Sequence, residues 1–128
     1  MKLEEITYYN DMANLIIIND FISSCKGITS KEAEPIYDKI YESLSHAENV
    51  ILDFKDIELT TTAFLNVLIG NLYGHFESNM LKKMIEIRNI NDPTAVRIKK
   101  VTDNAKVFYS NEKKELSSRY DSILKEND

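Results

Sequence analysis

Three consecutive threonines, Thr60, Thr61 and Thr62, lie between two apolar segments of different periodicity. A threonine hydroxyl can accept a hydrogen bond from the first turn of a helix, and such a cap contributes about 1 kcal/mol. One threonine is sufficient for capping, so the other hydroxyls could contact a partner or receive a phosphate. Free N–H groups and the helix dipole would stabilise a phosphate there. The sequence therefore leaves two interpretations open: a plain helix cap, and a regulated or partner-contacting site.

The other residues whose side chains could take part in catalysis form no catalytic pattern. The sequence contains no Walker motif, no G-x-G-x-x-G and no G-x-S-x-G elbow. Asp53, Asp56 and Glu58 could do acid–base chemistry, but no partner base accompanies them, so a solvated turn is favoured. His46 and His75 are expected on the polar sides of their helices. We therefore expect a protein that is not an enzyme, with no cofactor and no metal site.

The composition narrows the class of protein. A chain of 128 residues with 43% apolar residues fits one domain, which we assign to residues 1–128. The net charge of -5 argues mildly against nucleic acid and anionic membranes as partners. The first residues lack the apolar region of a signal peptide, and the aliphatic run at residues 15–18 is too short to span a bilayer. We expect a cytoplasmic soluble protein.

Strands and helices alternate along the chain. β-branched and aromatic residues predict strands at residues 6–9, 14–19, 50–54, 83–88 and 106–110. Apolar residues at helical spacing predict a helix after Thr29, a second from the threonines to Gly74, a short third helix after Asp92 and a fourth over residues 116–124. This order, β-β-α-β-α-β-α-β-α, predicts an α/β fold with a mostly parallel central sheet and about four helices.

Two helix starts have recognisable capping residues. Thr29 and Glu32 have the spacing of a capping box. Pro35 is tolerated only within a first turn, so the regular helix could begin a residue or two later than this cap indicates. Asp92 followed by Pro93 predicts a second start, with Asp92 as the cap and Pro93 at the first helical position.

The stretch V-I-L-D-F-K-D-I-E-L-T-T-T-A-F-L-N-V-L-I-G at residues 50–70 resembles the STAS domain family, the fold of bacterial anti-sigma-factor antagonists. It is most similar to the branch described as STAS-like domains of unknown function. The similarity extends to T-S-K-E-A-E-P-I at residues 29–36, to residues 85–101 and to residues 106–116. The resemblance therefore covers nearly the whole chain and implies a STAS-type fold.

In antagonist STAS domains, a partner kinase phosphorylates a serine in the turn before the second helix, and the phosphate switches partners. An ungapped alignment from Asp53 places the family's aspartate on Thr61 and its phosphate acceptor on Thr62. An alignment on the family's phenylalanine places the acceptor on Ala63, which cannot be phosphorylated. The resemblance thus makes Thr62 the candidate phosphate acceptor, although the aspartate of the family motif is absent in both registers.

The resemblance also implies a mode of binding. A STAS-type interaction module would dock a protein partner through Thr60, Thr61, Thr62, Asn66 and Asp56. The implied partner is a kinase-like ATPase of the anti-sigma type. The alternative is a sensor domain that binds a small ligand or nucleotide near the same turn.

Overall fold

The fold alternates short parallel strands with helices. The computed structural model describes residues 13–126, and side chains within residues 13–113; the strand predicted at residues 6–9 lies outside this range. The strands are β1 (Asn14–Ile17), β2 (Lys26–Gly27), β3 (Val50–Asp53), β4 (Leu59–Thr60) and β5 (Ile85–Arg88). The helices are α1 (Ser30–Ser45), α2 (Thr62–Leu68), α3 (Ser78–Met84) and α4 (Asp92–Glu126), with 3-10 turns at Ile18–Asp20 and Gly70–Gly74.

The central strand of the larger sheet is β3, which pairs in parallel with β1 on one side and β5 on the other. Val50 and Leu52 are fully buried, and the alternate residues Ile51 and Asp53 are half-buried, because successive side chains of a strand point to opposite faces. Phe54 directly follows the strand and is also buried. The prediction of a central strand at residues 50–54 is confirmed.

Helix α1 packs its apolar face on the core. Ala33, Ile36 and Ile40 are fully buried at the predicted helical spacing. The capping box is confirmed: the Thr29 hydroxyl accepts from the Glu32 backbone N–H at 3.2 Å, and the Glu32 carboxylate accepts from the Thr29 N–H at 3.0 Å. The helix begins directly after the cap and continues through Pro35, so the expected late start was wrong. Pro35 is exposed, where the backbone carbonyl that it leaves without a helical partner can bond to water.

The segment after the threonines is shorter as a helix than predicted. The structure ends α2 at Leu68 and continues as the 3-10 turn Gly70–Gly74, whereas the periodicity predicted one helix as far as Gly74. The predicted inward face is nevertheless confirmed, because Phe64, Leu68 and Leu72 have no exposed surface. The change from α-helix to 3-10 turn therefore keeps the same apolar side chains in the core.

The last predicted strand, at residues 106–110, was wrong. These residues belong to α4, which continues without a break through the expected interruption at residues 102–104. Their β-branched and aromatic composition favoured a strand, but Val101, Ala105 and Tyr109 repeat at helical spacing. Val101 and Ala105 are buried, and the Tyr109 ring lies where a side chain on Gly74 would be, so packing of this stripe decides the conformation.

The predicted fold class is confirmed in its main features. Four helices accompany strands that pair only in parallel within the described residues, as in an α/β STAS-type fold. The strand predicted at residues 83–88 begins instead at Ile85, because Lys83 and Met84 close α3, a helix that the sequence did not indicate. The two-residue strands β2 and β4 were likewise not predicted.

We predict that Phe64→Ala lowers the free energy of unfolding by about 3–5 kcal/mol, because it removes a fully buried ring and leaves a cavity. Denaturant unfolding of both proteins measures the difference. Val107→Ala is the matched control, since Val107 is 61% exposed and its truncation should change stability by less than about 0.5 kcal/mol. Equal stability of Phe64→Ala and the unmodified chain would contradict the packing described here.

Candidate functional site

The start of α2 is fixed by a small parallel ribbon, formed by β2 and β4, that lies beside the main sheet. Its register pairs Lys26 with Leu59 and Gly27 with Thr60. A Cβ atom on Gly27 would lie 2.7 Å from Cε1 of Phe64, so the absence of a side chain there is what lets the aromatic ring pack against the ribbon. The Phe64 ring thus sets how closely the first turn of α2 approaches β2.

Two of the three threonine hydroxyls are used within the fold. Thr60 is buried, and its hydroxyl lies 3.3 Å from the hydroxyl of Thr94 in α4. Thr61 is the cap of α2: its hydroxyl accepts from the Phe64 N–H at 3.2 Å and donates to the carbonyl oxygen of Ile28. These two residues therefore join α2 to α4 and to the chain that follows β2.

The third threonine is different. Thr62 is the first residue of α2, its side chain is exposed, and no hydrogen bond joins its hydroxyl to another residue of the described part of the chain. The expectation that at least one of the three hydroxyls faces solvent is met, and it is met at Thr62. Ala63, the acceptor position of the alternative register, is exposed as well.

The two remaining predicted site residues, Asn66 and Asp56, are both exposed but lie on different elements. Asn66 is exposed and stands one helical turn after Thr62, so the two side chains share one side of α2. Asp56 is exposed in the turn before β4, where its φ of 64° is left-handed, a conformation that aspartate tolerates better than most residues. Within residues 13–113, no side-chain hydrogen bond joins Asp56 to any of the three threonines.

The structure adds two apolar residues to this surface that the sequence analysis did not single out. Ile28 is 44% exposed and Leu59 is 38% exposed. Leu59 points to the same side of the ribbon as its partner Lys26, while Gly27 and Thr60 point inward. In the sequence, the alternation of exposed Leu59 with buried Thr60 is the feature that could have identified Leu59 as a surface residue. A strand of two residues is too short for this alternation to be recognised.

A second set of contacts fixes the loops beside this surface. The Asp53 carboxylate, at the end of β3, accepts from the Asn89 side-chain amide and from the Lys55 N–H, each at 2.9 Å. The Asn89 amide first, and then the Lys55 N–H, lowers the pKa of Asp53 below its usual value. Asn89 has a φ of 59°, so a left-handed residue after β5 presents this amide to the end of β3. The loops after β3 and β5 are therefore linked.

The cap of α4 is Asn91 rather than Asp92. The Asn91 side-chain oxygen accepts from the Thr94 N–H at 2.9 Å, which is the bond that defines a cap, and Asp92 occupies the first helical position instead. The Asn91 amide also lies 3.3 Å from the carbonyl oxygen of Glu58, in the turn before β4. Asn91 thus holds both the start of α4 and the turn that leads to the threonines, which the spacing of Asp92 and Pro93 could not reveal.

The histidines are exposed, as expected, but neither lies within a helix: His46 directly follows α1, and His75 directly follows the 3-10 turn Gly70–Gly74. His46 and His75 are both exposed, and the His75 ring lies edge-on to the ring of Tyr41 at 5.4 Å between centroids. In the described part of the chain, no three His, Cys, Asp or Glu residues are grouped so that they could hold a metal ion. Within the same residues, no helix is both long enough and apolar enough to cross a membrane.

Comparison with known families gives one match. A family model described as "STAS-like domain of unknown function (DUF4325)" matches residues 32–95, which is half of the chain. The matched segment runs from the first turn of α1 to the first turn of α4 and includes the three threonines. The predicted STAS-like resemblance is confirmed. No curated protein and no solved structure matches the chain.

The Asp53 contacts predict a pH dependence of stability. Because the folded state lowers the pKa of Asp53, this carboxylate stabilises the fold above the unfolded-state pKa of about 4, and the contribution is lost as the pH falls through the lower folded-state value. Asp53→Asn should therefore destabilise the chain slightly at pH 7 and progressively less as the pH falls below about 4. Thermal unfolding across pH measures this, with Asp56→Asn as the control. A difference between Asp53→Asn and the unmodified chain that stays constant with pH would contradict the role of Asp53.

Proposed function

This chain belongs to the family of STAS-like domains of unknown function, and we propose that it is a non-enzymatic protein-interaction module. In this proposal it is a partner-switching regulator similar to anti-sigma-factor antagonists, and it acts in the cytoplasm. It docks a protein partner through the turn of Thr60, Thr61 and Thr62 and the exposed side of α2. The partner that the family resemblance favours is a kinase-like ATPase of the anti-sigma type.

The observation that carries the proposal is the different use of three adjacent hydroxyls. Thr60 and Thr61 satisfy their hydroxyls inside the fold, so capping requires nothing of Thr62. Thr62 nevertheless presents a hydroxyl to solvent at the start of α2. A residue in this position is accessible both to a docking surface and to a kinase, and a phosphate there would add a charge of about -2.

The surroundings of Thr62 support docking of a protein. We use "docking face" for Ile28, Leu59, Thr62 and Asn66, which are all exposed. Two aliphatic side chains beside two neutral polar side chains give the mixed surface that is common at protein interfaces, where an apolar centre excludes water and polar groups fix the orientation. Asp56, in the turn before β4, would lie at the rim of this face.

The rigid support of the docking face also favours recognition. The Phe64 ring, the Asn91 amide and the Asp53–Asn89 pair hold the segments that carry these residues. A face that is already ordered loses little conformational entropy when a partner binds, so more of the contact energy remains as affinity.

We predict that the charge at residue 62 controls binding of the partner. Thr62→Glu should leave the fold intact, because the helix dipole tolerates a negative charge in the first turn. It should weaken binding by about tenfold or more, because a partner fitted to a neutral hydroxyl must desolvate a carboxylate when it docks. Thr62→Ala should bind as the unmodified chain does. The measurement is the affinity of each purified variant for the partner captured from the native host, with thermal stability in parallel.

Ser78→Glu is the matched control for this comparison. Ser78 is exposed and is the first residue of α3, so the substitution places the same charge at an equivalent helical position away from the docking face. It should not change the affinity. Equal affinities of Thr62→Ala and Thr62→Glu would leave the threonines as a helix cap and refute the switch.

A further inference from the structure

The first residues of α4 pack beside α2. We use "groove" for the line along which these two helices meet. At one end of the groove, the hydroxyl of Thr94 lies 3.3 Å from that of Thr60, just before α2. At the other end, a Cβ on Gly70 would lie 3.3 Å from Cγ1 of Val101 and 3.5 Å from the side-chain oxygen of Asn66. Asn66 therefore lies on the side of α2 that faces α4, and Thr62 precedes it by one helical turn on the same side.

Arg97 lies between the two ends of this groove. It follows Thr94 by three residues and precedes Val101 by four, so all three residues share one side of α4. Thr94 and Val101 contact residues just before and just after α2. Arg97, which lies between them on the same side of α4, therefore faces the side of α2 that carries Thr62 and Asn66. This places a cation near the docking face, whose own four side chains are neutral and whose other charged neighbours are Lys26, beside Leu59, and Asp56 at the rim.

The Arg97 guanidinium has a buried nitrogen without a partner among the described residues. Within residues 13–113, no acceptor bonds to its Nη1 atom, which is shielded from solvent, and no carboxylate forms an ion pair with Arg97. Shielding a charged donor without an acceptor is unfavourable, and such an atom in a native fold requires an explanation. Arg97 as a whole is only half-buried, so part of its surface is open to an incoming group.

We propose that Arg97 is the anchor for a carboxylate of the protein partner, an aspartate or glutamate side chain that enters the groove between α2 and α4. This inference rests on the proposed function and names the chemistry of the partner at that site. A carboxylate would give the guanidinium charge-assisted hydrogen bonds with matching planar geometry. The Thr62 hydroxyl and the Asn66 amide are neutral, so one guanidinium matches a singly charged carboxylate better than a phosphate dianion.

The site can be tested in the full chain without the partner, with acetate as the probe. In a ¹H–¹⁵N NMR titration, sodium acetate should shift the backbone amides of Thr62 and Asn66 in a saturable manner, and sodium chloride at the same ionic strength should not. Arg97→Met should weaken acetate binding by about tenfold or more. Arg88→Met removes one charge from an exposed residue of β5 and should leave acetate binding unchanged.

Arg97→Lys serves if the methionine variant does not fold, because it keeps the charge but lacks the planar fork. It should also bind acetate about tenfold more weakly. Acetate shifts that do not saturate, that chloride reproduces or that survive both Arg97 variants would overturn the proposal. So would phosphate binding more tightly than acetate. Because the titration requires no partner, its failure leaves the Thr62 comparison standing, and failure of that comparison leaves the acetate result unaffected.

Discussion

The Phe64 ring packs against the β2–β4 ribbon at the one position where a glycine leaves room for it. Gly27 lacks the Cβ that would lie 2.7 Å from the ring, and the ring itself has no exposed surface. This contact fixes the distance between the ribbon and the first turn of α2. The Thr61 hydroxyl can then bond both to the Phe64 N–H, in the helix, and to the Ile28 carbonyl, beyond the ribbon. The rest of the docking face depends on this position of α2.

The chemistry of the turn follows from that packing. With Thr60 turned inward to Thr94 and Thr61 used as the cap, Thr62 is the first residue that can point away from the core. The same arrangement brings the first turns of α4 alongside α2, and helical spacing puts Arg97 on the side of α4 that carries Thr94 and Val101. The exposed Thr62 and the Arg97 Nη1 atom, which has no acceptor within residues 13–113, thus lie on two helices that one packing arrangement brings together.

The parts of this fold that local sequence determines were predictable. The apolar run at residues 50–54 forms the central strand of the sheet with Val50, Leu52 and Phe54 buried, and the spacing of Thr29 and Glu32 forms the predicted capping box. The exposed hydroxyl among the threonines was also expected. In each case the residue types and their spacing carry the information: a short apolar run is typical of a central strand, and a capping contact lies within one helical turn.

The parts that tertiary contacts determine were not predictable in the same way. The strands β2 and β4 have two residues each, too few for any periodicity. Residues 106–110 have the composition of a strand, but burial of Ala105 and packing of Tyr109 on Gly74 keep them helical. Arg97 shows no local pattern at all, since the shielding of its Nη1 atom depends on the tertiary packing around α4.

The central claim is that a protein partner binds at the first turn of α2. Amide hydrogen exchange of the chain, measured with and without its captured partner, tests this claim most directly. Docking at this face predicts new protection at Ile28, Leu59, Thr62 and Asn66. Leu15, Ile51 and Glu86 are adjacent to one another on the face of the β1–β3–β5 sheet opposite the buried Val50 and Leu52. Protection confined to these three residues would contradict docking at the first turn of α2.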